Sequence, residues 1–342
     1  MLDDLKYIHQ KDGQDALGIA GKQWQQLEHV FDLPELKLQV ENIVYAGMGG
    51  SSLSALISQS WPGYHMPFEI VRGYTLPAYL SNKSLCIIAS YSGNTEEVLS
   101  CLEQAKSKNA NIVIIASGGQ LQELAQTNNY PLVLIPKVEQ PRFAALYILK
   151  ALITILEKAK LLMAEESQQL QHSAQFLKDS VNSWLAIVPT ANNPAKQIAQ
   201  ELMGKSIVVY GGPLLFPAAY KWKISFNENA KHIAWCNQLS EFNHNEMLGW
   251  TQQPVQKPYA VIDIRSNLEH PRIQKRFEVS ERLLSGLRPA PIVIRPQGTT
   301  LLEQLLWTVA LGDFVSLYLA LLNGINPTPV DLIEKFKKAL DQ

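Results

Sequence analysis

Asn42-Ile43-Val44-Tyr45-Ala46, followed by Gly47-Met48-Gly49-Gly50-Ser51-Ser52, sets a short apolar run against a loop of glycines and serines, with a helical pattern from Leu53 onward. The same order recurs at Leu85-Cys86-Ile87-Ile88-Ala89, which leads into Ser90-Tyr91-Ser92-Gly93-Asn94-Thr95-Glu96-Glu97. A buried strand that feeds a glycine turn and then a helix is the unit of a parallel sheet covered on both faces. Further runs at Ile112–Ala116 and Leu132–Ile135 extend that sheet, and Pro141–Met163 reads as a long apolar helix.

A polar helical stretch, Ala164–Leu185, precedes a second set of strands at Ile207–Tyr210, Tyr259–Ile264 and Ile292–Ile294, with a weaker one near Ile233–Trp235. Helices lie between them, and two more, Leu301–Leu322 and Pro329–Leu340, close the chain. The fold class is therefore α/β: two three-layer domains with parallel sheets flanked by helices, spanning residues 1–163 and 164–342. The length of 342 residues, beyond the usual single-domain size, agrees with two domains.

Thirty basic residues against 31 acidic ones leave a formal charge of -1, with no basic excess to meet a nucleic-acid backbone. Three scattered cysteines, Cys86, Cys101 and Cys236, make no disulfide framework and fit a reducing cytosol. Residues 1–15 are polar and acidic, without the apolar core of a signal peptide. The most apolar stretch, Leu301–Ile325, is interrupted by Glu303, Gly312 and Asp313 and reads as a buried core helix rather than a membrane span.

Both glycine/serine loops are ligand candidates. Glycines let the backbone approach an anion, and the helix that follows presents N–H groups with no partner of their own. The first loop is no dinucleotide fingerprint, since the third glycine would fall at Ser52, and no Gly-Lys-Ser/Thr follows for an ATPase-type loop. In the second, Ser90, Ser92 and Thr95 supply hydroxyls that bind a phosphate monoester without a lysine. A plain glycine turn would account for the first loop alone, and capping by Asn94 or Thr95 for the second. Two such loops at the carboxyl ends of parallel strands meet over one crevice, which points to a small phosphorylated ligand.

The second half carries Phe226-Asn227-Glu228-Asn229-Ala230-Lys231 and, downstream, Glu241-Phe242-Asn243-His244-Asn245-Glu246. A carboxylate flanked by amides suits a fixed general base, and a histidine flanked by asparagines suits a proton shuttle of defined tautomer. A solvated helix face and a loop histidine would explain the same residues more blandly. Cys236 with His232 or His244 has no zinc-site spacing, so it reads as structural and no metal site is expected.

These motifs resemble a known family. GMGGSS and SYSGNTEE, each after a strand, resemble the phosphosugar-binding sugar isomerase (SIS) domain. FNENAK, EFNHNE and the ending NGINPTPVDLIEKFKK resemble the bifunctional phosphoglucose/phosphomannose isomerase family, from about Val44 to the C-terminus. The resemblance implies two SIS-like domains in a cytoplasmic homodimer that interconverts glucose 6-phosphate and fructose 6-phosphate, and mannose 6-phosphate as well, without a cofactor. It implies that Gly50, Ser51, Ser90, Ser92 and Thr95 hold the phosphate, with Gly49 and Thr328 lining the pocket. It further implies Glu228 as the base between C1 and C2, His244 of a partner subunit in ring opening, and Arg142 stabilising the enediolate. A lysine of the last helix would face the ring oxygen: Lys335, placed on one helical face with Thr328 by its spacing of seven residues, or else Lys337. The extra helix at Ala164–Leu185 departs from compact members, and Gly211-Gly212-Pro213 without a second SYSGNT implies one phosphate site per chain. Two other readings stay open: a non-catalytic phosphosugar sensor on the same loops, and an isomerase of an amino-sugar or pentose phosphate.

Overall fold

Strand β3 (Ser84–Ser90) is buried at every position, and alternate side chains enter two different cores. Leu85, Ile87 and Ala89 join Ile43, Tyr45, Val113 and Ile115 under the helix Ala145–Lys158. Cys86 and Ile88 join Val44, Ile112 and Ile114 on the opposite face, against Val98, Cys101 and Leu102 of the helix Glu96–Ser107. A period of two that is apolar on both faces can be satisfied only by helices on both sides. The computed structural model, which describes residues 1–252 and 258–340, gives this unit a five-stranded all-parallel sheet. Its order is β2 (Phe68–Val71), β1 (Asn42–Gly47), β3, β4 (Asn111–Ala116), β5 (Leu132–Leu134). Gly47 lies opposite Ala89, and Ser90 opposite Ala116, so β1, β3 and β4 end nearly level.

The second sheet has four parallel strands in the order β7 (Ala234–Gln238), β6 (Ser206–Gly211), β8 (Tyr259–Ile264), β9 (Ile292–Ile294). Beside it the helix Leu301–Leu322 is opened by a Thr300/Glu303 capping box. It is long and apolar enough to cross a membrane, yet 94% of its most apolar window is buried inside the protein. Asp313, one of the residues that break its apolar pattern, pairs at 2.5 Å with the buried Lys221 of the helix Phe216–Glu228, and Ser225 also donates to it. Beside that pair, a Cβ at Gly312 would lie 2.3 Å from the Trp222 ring, so only glycine lets the indole pack there.

The chain divides into compact units of Lys22–Leu177 and Met1–Gly21 with Lys178–Gln342. The expected boundary after residue 163 is displaced at both ends. The helix Ala164–Val181 begins in the first unit, where the Trp61 indole N–H donates to Gln169. The N-terminal residues join the second unit: Lys196, fully buried, donates to the Leu2 carbonyl and pairs with Asp3, and the Tyr7 hydroxyl donates to the Leu321 carbonyl. The first loop helix begins at Gly49 rather than Leu53, because the Met48 carbonyl already accepts from the Ser51 and Ser52 N–H groups. Pro141–Met163 is shorter than expected, a 3-10 turn (Pro141–Phe143) followed by Ala145–Lys158. The closing helix is Asp331–Leu340, so Thr328 lies before it and shares no helical face with Lys335.

Removing one partner of a buried pair strands the other charge, so Asp313→Ala should lower the unfolding free energy by about 3–5 kcal/mol in urea titrations. Lys221→Met with Asp313→Leu should cost clearly less than the single change. Equal losses in the two variants would mean that packing rather than the charge pair joins these helices.

Candidate active site

Three helices start at the level carboxyl ends of β1, β3 and β4: Gly49–Ser60, Glu96–Ser107 and Gly119–Asn128. The residues at their cap positions, Met48, Thr95 and Gly118, make no side-chain hydrogen bond to their own helices. At the second, Thr95 occupies the cap position, but its hydroxyl turns to Ser90 Oγ at 2.7 Å instead of back to its own helix. Ser92 Oγ lies 3.4 Å from Ser90 Oγ. Three hydroxyls therefore cluster beside helix N-termini whose N–H groups and macrodipoles favour an anion. The first loop reaches the second directly, because the Tyr91 N–H donates to Ser51 Oγ at 3.3 Å. The two serine loops thus converge, as the strand ends require.

The loop after β4 was not singled out in the sequence, and it braces the other two. Ser117 donates through both N–H and hydroxyl to the Tyr91 carbonyl, and the Gln120 N–H donates to Asn94 Oδ1. Gly93 sits at φ 72°, and a Cβ there would lie 1.9 Å from the Gly118 carbonyl oxygen. Close approach of two backbones, not turn flexibility alone, demands this glycine. The signal was legible, since Ser117-Gly118-Gly119 follows a strand at the same place as the other loops.

Arg142 belongs to the same neighbourhood. A Cβ at Gly50 would lie 3.3 Å from Arg142 Cα, so the segment carrying the arginine rests on the glycine of the first loop. Tyr91 fixes that segment from the other side: its hydroxyl accepts from the Val138 N–H at 2.6 Å and donates to the Val138 carbonyl at 2.8 Å. Arg142 is 3% exposed, with its guanidinium over the Phe143 ring and near Gln140 Oε1.

In the second unit, Glu228 is the last residue of its helix and is half-buried. Its neighbouring amides hold the helix end: Asn229 donates to Ser316 Oγ, and Asn227 to the His232 carbonyl. Lys231, in left-handed backbone at φ 50°, donates to the Asn326 and Pro327 carbonyls and so draws the NGINPTP segment to the FNENAK segment. Glu228, Lys231, Asn326 and Asp331 share a cleft of 610 Å³ whose other walls include Ile233, Ile325 and Leu332. Thr328 is buried, its N–H donating to Asn326 Oδ1. Lys335 and Lys337 are both exposed on the closing helix, Lys337 paired with Glu334.

His244 is placed differently from Glu228. The helix ending at Glu228 returns from the carboxyl end of β6 to the amino end of β7, whereas Glu241–His244 follows the carboxyl end of β7. The length of a five-residue strand separates them, on the order of 15 Å. His244 is exposed, and its flanking asparagines do not set its tautomer: Asn243 bonds Ser280 and Arg276, and Asn245 caps the next helix. The loop itself is rooted through Glu246, which accepts from Tyr210 and Asn237.

Burial pushes the Cys236 thiol up to about 11, which leaves it a poor nucleophile at neutral pH. Among the described residues no group of three His, Cys, Asp or Glu side chains is placed to hold a metal ion.

Comparison with known proteins agrees with this arrangement. Residues 38–157 match the SIS domain family, and residues 191–340 match the family described as the bacterial phospho-glucose isomerase C-terminal SIS domain. The bifunctional phosphoglucose/phosphomannose isomerase of Aquifex aeolicus is 31% identical over 303 residues, 88% of this chain and 90% of that protein. That of Caldicellulosiruptor bescii is 33% identical over 306 residues, with coverage of 88% and 90%. Among solved structures, a glucose-6-phosphate isomerase like protein from Thermus thermophilus superposes with a TM-score of 0.67 at 17% identity, covering 98% of each chain. That last likeness concerns the fold.

Hydrogen bonds to a charged group contribute about 1.5–3 kcal/mol each, so Ser92→Ala with Thr95→Ala should weaken inorganic phosphate binding at least about 100-fold in calorimetry. Unchanged affinity would place the anion elsewhere.

Proposed function

The chain belongs to the bifunctional phosphoglucose/phosphomannose isomerase family, and on that footing we propose that it interconverts glucose 6-phosphate and mannose 6-phosphate with fructose 6-phosphate, as a cytosolic homodimer. The observation that carries the substrate class is the cluster of Ser90, Ser92 and Thr95 hydroxyls beside the N-termini of the helices Gly49–Ser60 and Glu96–Ser107, which no cap side chain closes. It suits a phosphate monoester, with Ser51 and the amides of Gly49 and Gly50 completing the cradle. Three free thiols, Cys86 and Cys101 fully buried, agree with a reducing compartment.

The reaction follows from the residue types. Glu228 removes the proton from C2 of the aldose, and the electron pair forms the C1–C2 enediolate. As the proton of the C2 hydroxyl passes to O1, the same carboxyl returns its own proton to C1, giving the ketose with no net gain or loss of electrons. The fixed helix end, held by Asn227, Asn229 and Lys231, keeps that one carboxylate beside both carbons. The Arg142 guanidinium offsets the enediolate charge, and its burial strengthens that interaction. Lys335 faces the ring oxygen, and Thr328 lines the pocket where the two C2 configurations are accepted.

His244 opens the ring from a second copy of the chain. The support is topological: within one chain Glu228 and His244 stand at opposite ends of the edge strand β7, so they do not meet on one sugar. An exposed imidazole at the carboxyl edge is available to a neighbouring copy, and a closed two-fold arrangement makes the exchange mutual.

Purified, EDTA-treated protein should turn over fructose 6-phosphate and mannose 6-phosphate in a coupled assay. Turnover of glucosamine 6-phosphate or a pentose phosphate instead would redirect the reading to another isomerase. Calorimetric binding without any turnover would make the protein a sensor. Glu228→Gln should keep substrate binding and lose at least about 10³-fold in kcat, and near-normal turnover would remove Glu228 as the base. Inactive Glu228→Gln and His244→Ala chains, unfolded and reassembled together, should regain about a quarter of parental activity, since only mixed dimers contain one intact site. No recovery on mixing would place both residues in one chain's site.

A further inference from the structure

The two sheets allow a position-by-position comparison of their loops. Gly47 of β1 lies opposite Ala89 of β3, and Gly211 of β6 lies opposite Ile264 of β8. The next residues, Ser90 and Arg265, are therefore equivalent. From each of them the cap of the following helix, Thr95 or His270, is five residues on. Hence Ser90-Tyr91-Ser92-Gly93-Asn94-Thr95 corresponds to Arg265-Ser266-Asn267-Leu268-Glu269-His270, and Glu269 holds the place of Asn94.

Glu269 is 3% exposed, and its carboxylate crosses to the β6 loop. It accepts from the Leu214 N–H at 2.9 Å and the Leu215 N–H at 3.3 Å, at the entry to the helix Phe216–Glu228. A Cβ at Gly212 would lie 2.3 Å from that carboxylate, so the glycine makes room for it. These are the features of an anion cradle: a glycine turn at a strand end, two convergent amides, a helix N-terminus, and an anion in place.

We infer that the second unit retains the anion-binding cradle of its fold and fills it with its own Glu269, so that it takes a carboxylate from within the chain where the first unit takes a ligand. Burial raises the Glu269 carboxyl above the ordinary glutamate value, with the two amides pulling the other way. The cradle is thus closed by an oxygen acceptor at some cost in desolvation, and closure excludes a second substrate phosphate. One phosphate site per chain follows from an occupied position rather than from the missing hydroxyls alone. Once Glu269 is shortened, the vacated place should accept a small free carboxylate.

The test is rescue of stability by formate, read against chloride at equal ionic strength. Glu269→Ala should melt several degrees below the parent, and formate should restore at least half of that loss with saturable dependence. The parent and Glu269→Gln, whose amide oxygen still fills the cradle, should gain no more from formate than from chloride. If Glu269→Ala folds only when refolded in formate, that also supports the assignment. Absence of a formate-specific gain in Glu269→Ala, failure to refold even with formate, or an equal gain in Glu269→Gln would overturn it. Because the readout is stability, the outcome is independent of which sugar phosphate the protein isomerises.

Discussion

Parallel pairing with level carboxyl ends is the constraint on which the rest of this protein depends. In the first unit it sets three helix N-termini side by side: the third takes the Asn94 side chain at the Gln120 N–H, and the first two flank the hydroxyl cluster. The hydroxyls of Ser90, Ser92 and Thr95 cluster there, and Arg142 stands beside the glycine of the first loop. The same constraint in the second unit brings Glu269 to the amides of Leu214 and Leu215. It also sends Glu228 and His244 to opposite ends of β7, since a parallel crossover must return to the amino end of the sheet before the next strand begins.

The second unit is held by a different device. Its helix Phe216–Glu228 and the residue after it carry Lys221, Trp222, Ser225 and Asn229, and these meet Asp313, Thr308 and Ser316 of one buried apolar helix. A polar register inside an apolar contact fixes rotation and sliding together, which apolar packing alone does not. Glu228 stands one residue before the last of those anchors. The helix end that carries this carboxylate therefore has a rigid root.

Much of this was legible in the residues. β-branched runs ending in glycine and serine announced the parallel sheets, and the convergence of the two serine loops followed from their place at the ends of parallel strands. What escaped depends on contacts between distant segments. Phe68–Val71 carries Glu69 in a short run at a sheet edge, and only pairing with β1 makes it a strand. The asparagines around His244 looked like partners of the ring but bond Ser280, Arg276 and the following helix. The spacing of seven between Thr328 and Lys335 implied one helical face, but the prolines at 327 and 329 delay the helix to Asp331. The boundary at residue 163 followed a change of composition, whereas the N-terminal segment joins the second unit through Lys196.

By itself the sequence determined the α/β class, the glycine and serine loops suited to a phosphate and the amide-flanked carboxylate suited to a general base, because periodicity and side-chain chemistry are local properties. Only the tertiary structure decided that Tyr91 ties the second serine loop to the arginine segment, that Glu269 meets the amides of Leu214 and Leu215, and that Glu228 and His244 lie apart. Each of these is a distance between residues far apart in the chain, and such distances are set by strand order and register, which no local pattern encodes.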